Sequence, residues 1–134
     1  MLSYRIDVQT KIVHILGRTP SDVREFNLLM QVIFADPKFG AGFSFLRDRT
    51  GMEALGKDLA QEAGVALRKI KGMPTCKFAV VVDDGTSLRA IQVVKLMTEG
   101  TWVEFAVFGL VEAAKDWLRQ PSLLPEEAVR RATA

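Results

Sequence analysis

Two short polar segments carry the residue types that could bind a ligand or a partner. They are Asp48-Arg49-Thr50-Gly51 and Asp83-Asp84-Gly85-Thr86-Ser87, and each directly follows an apolar run that predicts a strand. Loops at the carboxyl ends of parallel strands form ligand crevices in open α/β sheets, and helix N-termini there attract anions. We therefore expect one binding surface built from Asp48, Arg49, Thr50, Gly51, Asp83, Asp84, Thr86 and Ser87.

Both segments also have a plainer interpretation as helix caps. Asp48 or Thr50 could satisfy free backbone amides in the first, and we favour capping over a Mg²⁺ pocket for Asp83-Asp84. If the segments do form a surface, Arg49 and the hydroxyls would bind an anion or an acidic residue of a partner. Because the acids weaken anion binding, the sequence favours a protein contact over phosphate.

The remaining residues offer little for catalysis. His14 is the only histidine and Cys76 the only cysteine, so a structural zinc site is excluded and Cys76 is predicted to be an inert strand residue. There is no G-x-S-x-G motif, and Gly40-x-Gly42 precedes a strand, which does not fit a dinucleotide fingerprint. We therefore expect no catalytic residue, no metal and no cofactor, and hence a non-enzymatic protein. A weaker hypothesis is an enzyme that uses the acidic loops with Mg²⁺.

Composition limits which partners the protein could bind and where in the cell it is expected. Of 134 residues, 49% are hydrophobic and 25% charged, which is typical of one folded domain. A net charge of +2, spread along the chain, gives no general attraction to nucleic acid. No apolar run is long enough for a membrane span, and residues 1–5 lack the pattern of a signal peptide. With a lone cysteine, we expect a cytoplasmic protein.

Hydrophobic periodicity predicts a single α/β domain at residues 1–120, followed by a tail at 121–134 that is a short helix or poorly packed. Strands are predicted at 4–8, 12–16, 43–48, 77–82 and 102–108, and helices at about 19–36, 52–70, 88–97 and 109–118. The first two strands form an antiparallel hairpin, and the later ones are parallel, giving a mixed sheet of about five strands with about four helices. The predicted core contains Phe26, Met30, Leu55, Leu59, Val80, Val82, Ile91, Val103, Phe105 and Trp117.

This layout resembles the STAS-like (SpoIIAA-like) family, relatives of bacterial anti-sigma-factor antagonists. The resemblance covers about Tyr4 to Leu118 and rests on four segments that occur in the family's order: Asp36-Pro37-Lys38-Phe39, Arg47-Asp48-Arg49, Ala79-Val80-Val81-Val82, and the closing strand and helix at 99–118. It implies a regulatory or protein-interaction module that acts through an unidentified protein partner.

The same resemblance implies a site and an alternative. Antagonists of the sporulation type carry Asp-Ser-Ser-Gly, whose serine a partner kinase phosphorylates; Asp48-Arg49-Thr50-Gly51 lies at that segment, with Thr50 at the acceptor position. The family is also compared with SEC14-type lipid carriers, which implies a small apolar or lipid-like ligand as the alternative. Such a carrier would need a pocket of several hundred Å³. An incompletely covered sheet edge would allow a homodimer.

Overall fold

The computed structural model describes residues 1–20 and 22–121, which build a five-stranded sheet and four helices. In chain order they are β1 (Leu2–Asp7), β2 (Ile12–Gly17), α1 (Val23–Ala35), β3 (Ser44–Asp48), α2 (Lys57–Lys69), β4 (Cys76–Val81), α3 (Gly85–Met97), β5 (Val103–Phe108) and α4 (Val111–Leu118). Of the C-terminal tail predicted at 121–134, residues 122–134 lie outside this range.

The sheet keeps the order of the sequence, β1-β2-β3-β4-β5. β1 and β2 pair antiparallel, and β2, β3, β4 and β5 run parallel to one another. The predicted mixed α/β sheet is therefore confirmed, including the parallel pairing of the last two strands. Because β3 and β4 are adjacent and parallel, they release the chain at the same edge of the sheet.

The main core lies between one face of the sheet and helices α1, α2 and α3. At its centre three phenylalanines stack across adjacent strands: Phe45 and Phe78 lie 5.2 Å apart between ring centroids, and Phe78 and Phe105 lie 4.5 Å apart. Such cross-strand aromatic pairs stabilise a sheet and fix its register. Of the predicted core residues, seven are buried in this cluster, Phe26 and Leu59 are partly buried against it, and Trp117 lies on the other face.

Among the described residues, α4 is the helix that packs on the second face of the sheet. Leu46, Ala79 and Val81 pack there against Ala114. The buried Lys77 on this face donates hydrogen bonds from Nζ to the carbonyl oxygens of Trp117 (2.7 Å) and Gln120 (2.6 Å). A cation at the C-terminal end of a helix satisfies free carbonyls and complements the helix dipole, so Lys77 anchors α4 to the sheet.

Helix α2 begins five residues later than the periodicity predicts. Residues 52–56 are not helical, and α2 begins at Lys57 after Gly56, which has an extended backbone and no side-chain cap. Two backbone groups of this segment take tertiary partners: the Leu55 amide donates to Ser87 Oγ and the Glu53 carbonyl accepts from Arg49. A helix that began at Met52 would contain Gly56 in its interior, at a cost of about 1 kcal/mol. These tertiary contacts therefore outweigh the gain from an extra helical turn.

Helix α1 begins at Val23, later than the predicted start near 19, and α3 begins at Gly85, earlier than the predicted 88. Asp22, instead of Thr19, caps α1 by accepting a hydrogen bond from the Arg24 amide (2.9 Å). Asp84 caps α3 by accepting from the Ser87 amide (2.7 Å). The capping interpretation favoured for the acidic pair is therefore confirmed for Asp84.

Candidate functional site

The two polar loops lie side by side at the C-terminal edge of the sheet. The Gly51 amide donates to Asp83 Oδ2 (2.9 Å), and the Leu55 amide donates to Ser87 Oγ (2.8 Å). The Arg49 amide also donates to the carbonyl oxygen of Val81 (2.8 Å), which extends the pairing of β3 with β4 into the loop. The loops are thus joined through both backbone and side-chain hydrogen bonds.

Five of the eight predicted site residues are exposed and form what we call the rim: Asp48, Thr50, Gly51, Asp83 and Thr86. Asp48 Oδ1 accepts from both the amide (2.9 Å) and the hydroxyl (2.6 Å) of Thr50, which forms a tight turn. Gly51 follows with φ of 76°, a conformation in which glycine has no steric cost. The rim is therefore held in a defined shape by its own hydrogen bonds.

The rim presents carboxylates at its surface. Because α2 begins only at Lys57, Thr50 does not lie at a helix N-terminus, in contrast to the sequence prediction. The amides of Thr50 and Gly51 are already satisfied by Asp48 and Asp83. Binding of an anion or of a partner's acidic residue by Arg49 and the hydroxyls stays a prediction, whereas the exposed carboxylates of the rim suit a basic group on a partner.

Three predicted site residues lie at or below the rim in supporting positions. Arg49 is 5% exposed and Ser87 is 1% exposed, while Asp84 is partly buried as the cap of α3. The sequence predicted that Arg49 and Ser87 would contact a partner. In this conformation both side chains are buried and lie out of reach of a docked protein. Ser87 instead holds the segment at 52–56 through its bond to the Leu55 amide.

Arg49 is incompletely paired. Its Nη2 donates to the carbonyl oxygen of Glu53 (2.9 Å), whereas its Nε is buried without a hydrogen-bond partner among the described residues. Burial lowers the pKa of Arg49, an effect that the charges of Asp84 and Glu53 oppose. An unsatisfied buried donor on a charged group is costly and calls for a physical explanation.

A second arginine, Arg47, accompanies it on the same face of β3. Arg47 is 7% exposed and donates to the carbonyl oxygens of Ile15 (3.2 Å) and Gly17 (2.8 Å). Burial lowers the pKa of Arg47 to about 10, and the nearby charge of Arg49 adds to this effect. Neither arginine forms an ion pair within the part of the chain that the structure describes.

Both arginines line a cavity of about 90 Å³ between the sheet and the helices. Its other walls are apolar, with Leu55, Leu59 and Phe78 among them. Because Arg49 belongs to the first loop and Leu55 to the segment that follows it, the cavity lies directly below the rim.

The remaining candidates lie outside this site. His14 is half-buried on the opposite face, where burial, Arg5 and Lys115 lower its pKa and Asp7 partly opposes them. Cys76 is buried, which raises the pKa of its thiol well above the usual range. Over residues 1–20 and 22–121, no group of three or more His, Cys, Asp or Glu side chains could hold a metal ion. None of the helices described there is long and apolar enough to cross a membrane.

Sequence reasoning missed Arg47, although the signal was present. Phe43, Phe45, Arg47 and Arg49 alternate at the period of a strand, which places all four on one face, and that face carries the main core. Fold and site together define a mixed α/β domain with an acidic rim above an arginine-lined cavity. Comparison with known proteins finds no matching family model, no similar curated protein and no similar solved structure.

Proposed function

We propose that this chain is a non-enzymatic, cytoplasmic regulatory or protein-interaction module of the STAS-like type, and that the rim is its contact surface. The observation that carries the proposal is the pair of exposed carboxylates, Asp48 and Asp83, each fixed by a hydrogen bond to the first loop. Because these side chains are already ordered, a partner would lose little conformational entropy in binding them.

The charge of the rim specifies the chemistry of the partner. Asp48 and Asp83 each use one carboxylate oxygen in the bonds described above, which leaves the other available to an incoming donor. With Arg49 buried, no cation of the loop competes for them at the surface. The partner surface is therefore expected to carry arginine or lysine, and arginine can bind a carboxylate through two parallel hydrogen bonds.

Thr50 supplies the regulatory step of the proposal. Its hydroxyl is exposed and donates to Asp48, so a phosphate on Thr50 would remove this donor and place about two negative charges beside Asp48 and Asp83. Repulsion would then open the turn and change the surface that the partner contacts. This regulation follows the resemblance to antagonists of the sporulation type, in which a kinase modifies the corresponding serine.

The experiment compares partner capture by matched charge variants. Asp48→Asn with Asp83→Asn keeps the size and most hydrogen bonds of the rim but removes its charge. Glu62→Gln with Glu99→Gln removes the same charge from exposed positions elsewhere. The proposal predicts that the rim variant loses a defined partner that both wild type and the control retain. Equal capture by the two variants, with equal thermal stability, would contradict it.

A second candidate function, carriage of a small ligand, is favoured by the cavity. Its volume of about 90 Å³ is below the several hundred Å³ expected of a lipid carrier, so this conformation suits only a small molecule. The two functions are compatible because the cavity lies below the rim and uses different side chains.

A further inference from the structure

The cavity below the rim has an almost entirely apolar wall. Fourteen of its lining residues are apolar, and the other two are Arg47 and Arg49. The guanidinium of Arg47 donates to the carbonyl oxygens of Ile15 and Gly17. Arg49 Nη2 donates to the carbonyl oxygen of Glu53, and Arg49 Nε is buried among neighbouring atoms. The two arginines therefore line the cavity with the carbon atoms of their side chains.

The chemistry of this wall decides which occupant is favourable. Water is a poor one, because a buried water needs about two to four polar partners and the wall exposes almost no polar surface. A charged group would lose its hydration without replacement. An apolar molecule needs no polar partner, and it gains dispersion contacts with the close-packed side chains around it. The wall therefore favours an occupant that is both neutral and apolar.

The cavity opens between two helices. Most of its lining residues are buried, but Phe26 on α1 and Leu59 and Ala63 on α2 are partly exposed, which places the opening between α1 and α2. The buried Leu55 also lines the cavity, and its amide is the donor that joins the first loop to Ser87. A molecule in the cavity would therefore contact the segment that supports the rim.

We propose that the cavity binds a small neutral hydrocarbon, held by van der Waals contact with side chains that include Leu55, Leu59 and Phe78. This inference rests on the second candidate function and names the class of its ligand. The apolar wall supplies the affinity, and the opening between α1 and α2 supplies the route of entry.

The volume limits the size of the ligand. A cavity of about 150 Å³ lined by apolar side chains holds one benzene molecule. By that proportion the 90 Å³ cavity accepts a molecule of about three or four carbons. The branched hydrocarbon 2-methylpropane is therefore the appropriate probe. Its charged counterpart is 2-methylpropanoate, in which a carboxylate replaces one methyl group.

The experiment is an NMR titration of the full chain with 2-methylpropane, followed through the side-chain methyl signals. We expect saturable shifts at Leu55, Leu59 and Ile91, which line the cavity, and none at Leu96, which is exposed on α3. The carboxylate 2-methylpropanoate should bind at least about tenfold more weakly, because burial would remove its hydration and the wall offers no polar partner in exchange.

A variant that fills the cavity provides a second test. Ala60 is 2% exposed and lines the cavity, so Ala60→Leu adds an isopropyl group to that space. This variant should lose at least about tenfold in affinity for 2-methylpropane. Ala113→Leu, the same substitution at an exposed position of α4, should keep the wild-type affinity.

Three results would overturn the proposal: no saturable binding of 2-methylpropane, binding of the carboxylate that is equal or tighter, or full affinity in folded Ala60→Leu. The first two use the wild-type chain, so they decide the matter even if Ala60→Leu fails to fold. Binding of the carboxylate alone would refute the hydrocarbon but retain carriage of a small ligand, whereas binding of neither probe would count against both. The titration contains no protein partner, so its outcome is independent of the function proposed for the rim.

Discussion

Ser87 joins the two loops, and its removal is the sharpest structural test of the site. Ser87 Oγ accepts the hydrogen bond of the Leu55 amide at 2.8 Å, and both residues are buried. Ser87→Ala keeps the backbone of α3 and its bond to Asp84 but leaves that amide without its acceptor. The expected consequence is loss of stability centred on the segment at 52–56.

The size of the effect follows from the burial of the amide. A buried donor left unsatisfied costs about 1–3 kcal/mol, and the better helix propensity of alanine returns about 0.5 kcal/mol. The net loss is about 0.5–2.5 kcal/mol. With an unfolding entropy of about 2.1 cal/mol/K per residue, a chain of 134 residues loses about 4 °C in Tm for each kcal/mol. Ser87→Ala should therefore lower Tm by about 2–9 °C.

The assay is calorimetry at neutral pH, with Thr86→Ala as the matched control. Thr86 is the preceding residue of the same helix but is exposed, so its substitution should change stability by less than about 0.5 kcal/mol. Amide hydrogen exchange should show faster exchange at Leu55 in Ser87→Ala only. If the two variants were equally stable and equally protected at Leu55, the bond would not hold the loops together.

Three further predictions concern titratable groups. NMR titration should place the pKa of His14 below the usual 6.5, because burial and the charge of Arg5 disfavour the imidazolium. The contribution of His14 to stability is therefore complete above pH 6.5 and falls at lower pH, where the unfolded chain takes up the proton. A measured pKa above 6.5 would contradict the burial argument. The helix-cap bond from the Ser87 amide lowers the pKa of Asp84 below the usual 3.8. The contribution of Asp84 to stability is therefore present above pH 3.8 and is lost as the pH falls through the lower pKa of the folded chain. The Tm advantage of wild type over Asp84→Asn should shrink there, and a constant advantage down to that pH would exclude the cap as its source. The Cys76 thiol should react with a thiol reagent only on unfolding, and fast reaction of the native chain would show that β4 opens.

The sheet was predictable because its strands carry strong local signals. Alternation in the first hairpin and the apolar run at 76–81 each fix a strand, and short connections restrict the pairing to neighbours. The start of α2 was not predictable because tertiary bonds decide it. Met52 to Gly56 has the apolar spacing of a helix, but the Leu55 amide finds Ser87, which lies 32 positions away in the sequence.

The site was predictable in position but not in exposure. That β3 and β4 are parallel neighbours suffices to bring the two loops together, as the bond from Gly51 to Asp83 shows. Arg49 was assigned to the exposed surface because an arginine in a polar loop is usually exposed. Its alternation with Phe45 places it on the face of the main core, and the cavity there depends on helix packing that no local pattern encodes.

The most direct test of the rim as a contact surface is site-specific photocrosslinking in cells. A photoreactive residue at position 50 lies in the rim, whereas one at exposed position 92 on α3 serves as the control. The account predicts a defined crosslinked protein from position 50, none of the same mass from position 92, and loss of the product when Asp48→Asn and Asp83→Asn are added. Identical products from both positions, or a position-50 product that persists without the two charges, would contradict the proposed function.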